Sequence, residues 1–349
     1  MKIIKIISIV SFILFAALSC RHQPHKQVQE PDLGVVLSIP SEGVEIATPD
    51  STWNIIVHAN SHIPFNFFNR QFVATLTKWE RGDRWEKTGT LEEWADHLKD
   101  RLKNTPGRRA TNINTEKMIL NGNVPAIANL HDGFNQGEST NAYFNEEIYF
   151  DHQAKRYSLF FDTGSNSQEI VTADDFRKNV DSLLQNLRLF PATEQGPSIR
   201  KLNWGVEFSF PNGAWTIHSK DQGMYFSQDI VRLVEPYGLQ SLCQINVMQI
   251  TAQDYKLAKE KGYLVGNIRR TPVRNREEIT IGNGIPALTI FYEPAPKEPA
   301  QIYDIPPRQQ IFFEHHQKYF VLGLQVKDET FYASLKNDVD FILKNIKVL

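Results

Sequence analysis

The sequence predicts an α+β fold in which antiparallel sheet is covered by helices, written twice in tandem. Three observations carry this reading. Short apolar segments alternate with period two, as half-buried strands do. Amphipathic stripes at helical spacing recur and need an apolar partner surface. Strands and helices do not alternate regularly, which disfavours a parallel doubly wound sheet.

The repeat is visible element by element. Gly34-Val-Val-Leu-Ser-Ile-Pro40 matches Gly205-Val-Glu-Phe-Ser-Phe-Pro211, each an alternating strand ended by proline. Thr90-Leu-Glu-Glu-Trp94 matches Thr251-Ala-Gln-Asp-Tyr255, each a threonine N-cap with an acid three residues on. Val124-Pro-Ala126 and Ile285-Pro-Ala287 stand at the same offset as those helix starts. Glu147 to His152 followed by Tyr157 to Phe161, and Gln310 to His315 followed by Phe320 to Leu324, predict hairpins. Phe176, Val180, Leu183, Leu184 and Leu187 predict a closing helix, and Leu335, Val339, Ile342, Leu343 and Ile346 repeat the stripe. Pro191-Ala-Thr-Glu-Gln-Gly-Pro197 suits a linker. The expected division is 1–19 signal segment, 20–32 tether, 33–191 first copy, 192–199 linker and 200–349 second copy.

The first residues carry Lys2 and Lys5, then an apolar run from Ile6 to Leu18, of about 13 residues, that ends at Ser19-Cys20. Such a run is short of the roughly 20 residues that span a bilayer as a helix and suits a signal segment. Ala17-Leu-Ser-Cys20 resembles the lipobox of bacterial lipoproteins, with the leucine one place later than is usual. The resemblance implies that Cys20 is acylated and leads the mature chain. Stable anchoring takes at least two acyl chains. Arg21 to Asp32 is polar, without apolar period, and reads as a flexible tether. Arg21 is not the aspartate that retains many lipoproteins in the inner membrane, so the resemblance points to the outer membrane. Without Lys2 and Lys5 the 38 basic residues fall to 36 against 40 acidic, a balance of −4 that gives no reason to expect a nucleic-acid partner. Cys243 is then the only other cysteine, and a buried inert thiol is expected there.

The strand ending in Pro211-Asn-Gly-Ala-Trp215, the Ile-Pro-Ala strand, the hairpin through Lys318-Tyr-Phe-Val-Leu322 and the closing Leu343-Lys-Asn-Ile-Lys-Val348 resemble the PsbP-like superfamily, which includes DcrB-like envelope lipoproteins. The resemblance covers both copies and implies two tandem α/β/α sandwiches, each a twisted antiparallel sheet flanked by helices. It implies binding or assembly roles, and no common enzyme activity or cofactor. The first copy departs from it at Pro40-Ser-Glu-Gly-Val44, where no tryptophan follows.

The chain holds no phosphate loop, His-Glu-x-x-His or paired-cysteine spacing, and Gly164-Ser165 lacks the second glycine of a nucleophile elbow. Glu314-His315-His316, echoed by Asp151-His152, is a metal candidate, although neighbours on a strand point to opposite faces. Polar residues at a turn between strands are the simpler explanation and the one expected here. Trp79 and Trp85 flank Arg81-Gly-Asp83 in a segment that only the first copy has, an exposed tip or an extension of the core. Ile63 to Phe72 is dense in phenylalanine and suits a groove or a core strand. Tyr292 to Pro307 carries five prolines, which exclude a helix, and brings Tyr292 and Tyr303. The binding candidates are therefore Trp79, Arg81, Asp83, Trp85, Tyr292 and Tyr303.

The expected function is that of a lipid-anchored envelope lipoprotein, a non-enzymatic binding or assembly module for an envelope protein or lipid. The alternatives are a metal-assisted hydrolase using Glu314 to His316 and a surface-exposed host adhesin.

Overall fold

Pairing between the two copies decides the architecture. The computed structural model describes residues 34–349 apart from 51, 59–62, 70, 80–88, 105–107, 136–142, 164–170, 213–214, 221–222, 229–231, 235–237, 241–242, 263–271, 294–307 and 327–328. The first copy supplies β1 (Val35–Ile39), β2 (Val44–Ala47), β3 (Asn54–His58), β4 (Phe65–Phe68), β5 (Phe72–Trp79), α1 (Leu91–Asn104), β6 (Arg108–Leu120), β7 (Val124–Asn135), β8 (Tyr143–His152), β9 (Lys155–Thr163), α2 (Ala173–Gln185) and β10 (Leu187–Leu189). The second supplies β11 (Ser198–Lys201), a 3-10 turn at Leu202–Trp204, β12 (Val206–Ser209), β13 (Trp215–Lys220), β14 (Gly223–Gln228), β15 (Arg232–Val234), β16 (Gly238–Gln240), β17 (Cys243–Ile250), α3 (Ala252–Lys261), β18 (Val273–Ile281), β19 (Ile285–Tyr292), β20 (Gln309–His315), β21 (Lys318–Val326), α4 (Glu329–Lys344) and β22 (Lys347–Val348).

Among the described residues these strands make a 14-stranded sheet, a 6-stranded sheet and the small β15–β16 ribbon. The large sheet runs β18-β19-β20-β21-β17-β14-β13-β3-β4-β5-β9-β8-β7-β6, and the smaller one β10-β2-β1-β11-β12-β22. Each order reads as the same repeat from either end, with one antiparallel junction at its middle. At those junctions Ile56 lies opposite His218 and Leu37 opposite Ile199. Both pairs are separated by the same sequence offset, and their neighbours pair reciprocally: Val57 with Ile217 and Ile55 with Ser219, Val36 with Arg200 and Ser38 with Ser198. The copies are thus related by a local twofold, as two subunits of an isologous dimer would be.

This corrects the expectation of two α/β/α sandwiches. The protein is mostly antiparallel sheet, and its two sheets run through both copies. The physical reason is edge pairing. A lone copy would leave β1 and β3 as unpaired edges, and the partner copy's β11 and β13 satisfy their backbone groups.

One continuous apolar core lies on the inner face of the large sheet. It joins Leu37, Ile46, Ile199 and Phe208 of the small sheet to Ile55, Phe65, Phe67, Leu159, Ile217, Val247 and Leu322 of the large one. Phe176, Val180 and Leu183 of α2 and Val339 and Ile342 of α4 seal the same core. Phe65, Phe67 and Phe72 of the phenylalanine-rich run are therefore core, while Phe68 is half-buried and Ile63 exposed, and each buried ring contributes on the order of 1.5–3 kcal/mol relative to exposure. On the outer face α1 buries Trp94, Ala95 and Leu98 against Ile127 and Tyr149, and α3 buries Ala258 near Ile290 and Phe312. The helix starts are as the spacing predicts. Thr90 accepts from Glu93 N at 3.1 Å while Glu93 Oε2 accepts from Thr90 N at 2.9 Å, and Thr251 accepts from Asp254 N at 3.1 Å. The closing stripes overshoot, because α2 ends at Gln185 and α4 at Lys344, and the buried Leu187 and Ile346 come after them.

The register also revises the alignment of the copies. β2 pairs with β10 as β12 pairs with β22, so Gly43-Val-Glu-Ile-Ala-Thr-Pro49 is the partner of Gly205-Val-Glu-Phe-Ser-Phe-Pro211. Gly43 and Gly205 share φ near +65° and +69°. The missing tryptophan is then present: Trp53 corresponds to Trp215, and both are buried.

Candidate functional site

A cleft of about 320 Å³ opens beside the outer end of the large sheet in the second copy. Arg274 and Asn275 come from a bulge in β18, which staggers that strand against Tyr292 and Phe291 of β19. Glu277 follows two residues on, Arg308 immediately precedes β20 with its carbonyl accepting from Tyr292 N, and Gln309 opens β20 paired with Phe291. Asn275 donates its side-chain amide to Glu277 Oε1 at 2.6 Å, which fixes that carboxylate. Tyr292 donates its hydroxyl to Gln310 at 3.0 Å, and Gln309 donates to Thr289 at 2.9 Å. Burial holds the Tyr292 phenol protonated well above its ordinary range. The cleft thus combines two guanidinium groups, one carboxylate and two aromatic side chains. Its volume is at the lower end of the roughly 300–1,000 Å³ of small-molecule sites.

The first copy has the same bulge and a different lining. Register places Ile113 where Arg274 stands, Asn145 at Arg308, Glu146 at Gln309 and Leu130 at Phe291. Asn114 donates to Glu116 at 2.6 Å, as Asn275 does to Glu277. Here the charge is reversed. Burial pushes the Glu146 carboxyl up to about 7, against the pull of the Arg177 guanidinium, and the nearby Asp181 and Glu116 push it the same way as burial.

At the opposite end of each hairpin, the turn before β2 or β12 meets β5 and β9 or β17 and β21. In the first copy Glu42 accepts from Lys78 Nζ at 3.1 Å, Lys155 Nζ at 2.8 Å and Tyr157 Oη at 2.7 Å. Burial opposes ionisation of Glu42, but the bonds from Lys155, Tyr157 and Lys78 together hold its pKa below the usual carboxylate value. The second copy places Trp204 at that position, packed on Phe320 with ring centroids 5.6 Å apart and with Lys201 Nζ 4.1 Å from its own ring. One position is closed by an ionic cluster and its twin by aromatic and cation–π contacts.

The other sequence-derived residues fall as follows. Trp79 packs edge-on to Trp94 at 5.3 Å and donates its indole N–H to Ser158 at 3.0 Å, so it extends the core under α1. Arg81, Asp83, Trp85, Tyr303 and Cys20 lie outside the described residues, as does Gly164-Ser165. Tyr292 is buried at the end of β19 and joins the cleft. His315 ends β20, and His316 and Gln317 form the hairpin turn with φ of 46° and 61°, as Gln153 and Ala154 do in the first copy. His152 meets the Phe190 carbonyl at 3.0 Å, and its counterpart His315 sits beside Leu349. These histidines latch the chain that follows each closing helix. Among the described residues no group of three or more His, Cys, Asp or Glu side chains is placed to hold a metal ion, Glu314 to His316 included. Nor is any described helix long and apolar enough to cross a membrane.

Arg274 and Arg308 were not among the residues singled out from sequence. They are far apart along the chain, and only the β18-β19-β20 register brings them together; their absence from the first copy was the available signal.

No family profile and no curated protein matches this chain. Among solved structures, the solution structure of cyanobacterial PsbP (CyanoP) from Synechocystis sp. PCC 6803 is similar at 12% identity and a TM-score of 0.33, over 48% of this chain and 100% of that one. PA94, a protein of unknown function from Pseudomonas aeruginosa, is similar at 14% identity and a TM-score of 0.23, over 44% of this chain and 92% of that one. Both are likenesses of fold and carry nothing about activity.

Proposed function

We propose that this chain is a lipid-anchored cell-envelope protein that acts as a non-enzymatic binding module, with the second-copy cleft as its recognition site. The observation that carries the binding reading is divergence at one register position. Two copies keep the same bulge, the same asparagine and the same glutamate, yet one carries Arg274, Phe291, Tyr292 and Arg308 where the other carries Ile113, Leu130, His131 and Asn145. The anchoring reading is supported by Lys2 and Lys5, the apolar run to Leu18 and Cys20.

Two measurements test the two parts. Palmitate labelling in cells should mark the wild-type chain and leave Cys20→Ala unlabelled and released from membranes; label retained on Cys20→Ala contradicts the anchor. Crosslinking in the native envelope should give a discrete adduct that weakens when Arg274 and Arg308 are both replaced. An adduct pattern identical in that variant contradicts the assignment of the site.

A further inference from the structure

We propose that Glu146 is a pH-sensitive latch on α2: while its carboxyl is protonated the helix closes on the sheet of the first copy, and as the carboxyl ionises the helix loosens.

The geometry sets this carboxyl under the helix. Glu146 lies on the inner face of β8, opposite Leu130 of β7 and Phe161 of β9. Two residues along the same face, Phe144 packs on Phe176 of α2 with ring centroids 5.9 Å apart. The charged groups that face Glu146 are Arg177 and Asp181, one turn apart on α2, and Glu116 of β6. β7 and β9 bring Ala128, Leu130 and Phe161, which do not titrate, and Glu147 points to the other face beside Tyr149. Among the described residues no hydrogen bond reaches the Glu146 carboxyl. The Arg177 guanidinium favours its charge, and burial, Asp181 and Glu116 oppose it.

The second copy closes the same corner without a titrating group. Gln309 stands at the place of Glu146 and donates to Thr289 at 2.9 Å, where the first copy has Ala128 and no hydroxyl. Lys336 and Asp340 of α4 stand at the places of Arg177 and Asp181 and pair with each other. A bonded amide therefore faces α4, and an unbonded carboxyl faces α2.

The sign of the latch follows. Burial pushes the Glu146 carboxyl up to about 7 from an ordinary value of 4.5. Because the closed state holds the raised value, closure is complete below about pH 4.5 and weakens as pH rises through 7. Opening returns the carboxyl to water, so the opening equilibrium grows by ~10-fold between about pH 6 and 8 and levels off above. Phe176, Val180 and Leu183 stay buried in the closed state, so the latch changes how often α2 opens and leaves its docked position unaltered.

The test is native-state hydrogen exchange of the intact chain in detergent, corrected for intrinsic exchange and compared between α2 and α4, with the carboxyl carbon shift of Glu146 followed in parallel. Expected is a ~10-fold loss of protection in α2 from about pH 6 to 8 with α4 unchanged, and a Glu146 midpoint near 7. Glu146→Gln should remove the α2 change. Asp181→Asn should move the midpoint down and Arg177→Gln should move it up, both at exposed positions of α2. A parallel loss in α2 and α4, an α2 loss that survives Glu146→Gln, or a Glu146 midpoint below about pH 5.5 would each overturn the latch. So would midpoints unmoved in both surface variants, which decide the matter even where Glu146→Gln does not fold.

Discussion

Replacing Glu42 with alanine removes the carboxylate at the centre of a buried cluster. The Glu42 and Lys78 side chains are 8% and 9% exposed, whereas Lys155 is 41% exposed and can return to solvent. The cost falls mainly on Lys78 and on the Tyr157 hydroxyl, both enclosed between β5 and β9. Removing one partner of a buried pair costs up to about 3–5 kcal/mol, because Lys78 keeps its desolvation and loses the Glu42 carboxylate. Urea unfolding of the chain from Leu33 onward at pH 7 should therefore show a loss in that range with an unchanged slope. The pH dependence has a definite sign. Glu42 has a folded pKa held below its unfolded value, so its contribution is complete above about pH 4.5 and fades as pH falls through the folded value. The gap between wild type and Glu42→Ala should narrow as pH falls below about 4.5. The second copy supplies the rescue: Glu42→Trp, Lys78→Gln and Tyr157→Phe together reproduce Trp204, Gln249 and Phe320, and should recover at least half of the loss. A loss below about 1 kcal/mol at pH 7, or a gap as wide at pH 3 as at pH 7, would refute the reasoning.

Three further outcomes follow from the same comparison of copies. Glu146→Gln installs the residue that the second copy uses at Gln309; because burial raises the Glu146 pKa to about 7, wild type loses stability as pH rises from about 4.5 through 7, and the variant should gain about 1–2 kcal/mol at pH 8 and nothing at pH 4 by chemical unfolding. Arg200 lies between Glu45 at 2.9 Å and Glu207 at 3.9 Å on the small sheet, and Arg200→Ser, the residue found at Ser38, should cost about 1 kcal/mol in low salt and less in 1 M salt. Gly43→Ala should destabilise by more than about 1 kcal/mol in thermal melts, since a Cβ there would lie 2.1 Å from the Phe190 carbonyl oxygen on a backbone with φ of +65°.

Much of the secondary structure was legible in the sequence because it rests on local chemistry. Thr90 and Thr251 announce their helices through capping, and Gln153-Ala154 and His316-Gln317 sit where the apolar alternation breaks. Partner choice between strands was not legible. Alternation in Val35 to Ile39 says which face is buried, and says nothing about whether the neighbour is β2 alone or also β11 from the other copy. The same degeneracy misaligned the copies, since β1 and β2 are both short, alternating and followed by proline, and only the register with β10 and β22 identifies β2 with β12. The helical stripes ran past the helix ends because Leu187 and Ile346 are buried for a different reason, as core residues just beyond the helices. The cleft escaped notice because Arg274 and Arg308 are ordinary surface residues until a bulge and two strand pairings set them side by side.

Native-state hydrogen exchange on the intact chain tests the shared-sheet architecture most directly. Amides of β3 and β13 around Ile56 and His218, and of β1 and β11 around Leu37 and Ile199, should exchange as slowly as those of β9 and β21 deep within the large sheet, and all should open together. Fast exchange confined to those four strands, with each copy protected separately around it, would mean two bodies lying side by side and would contradict the account.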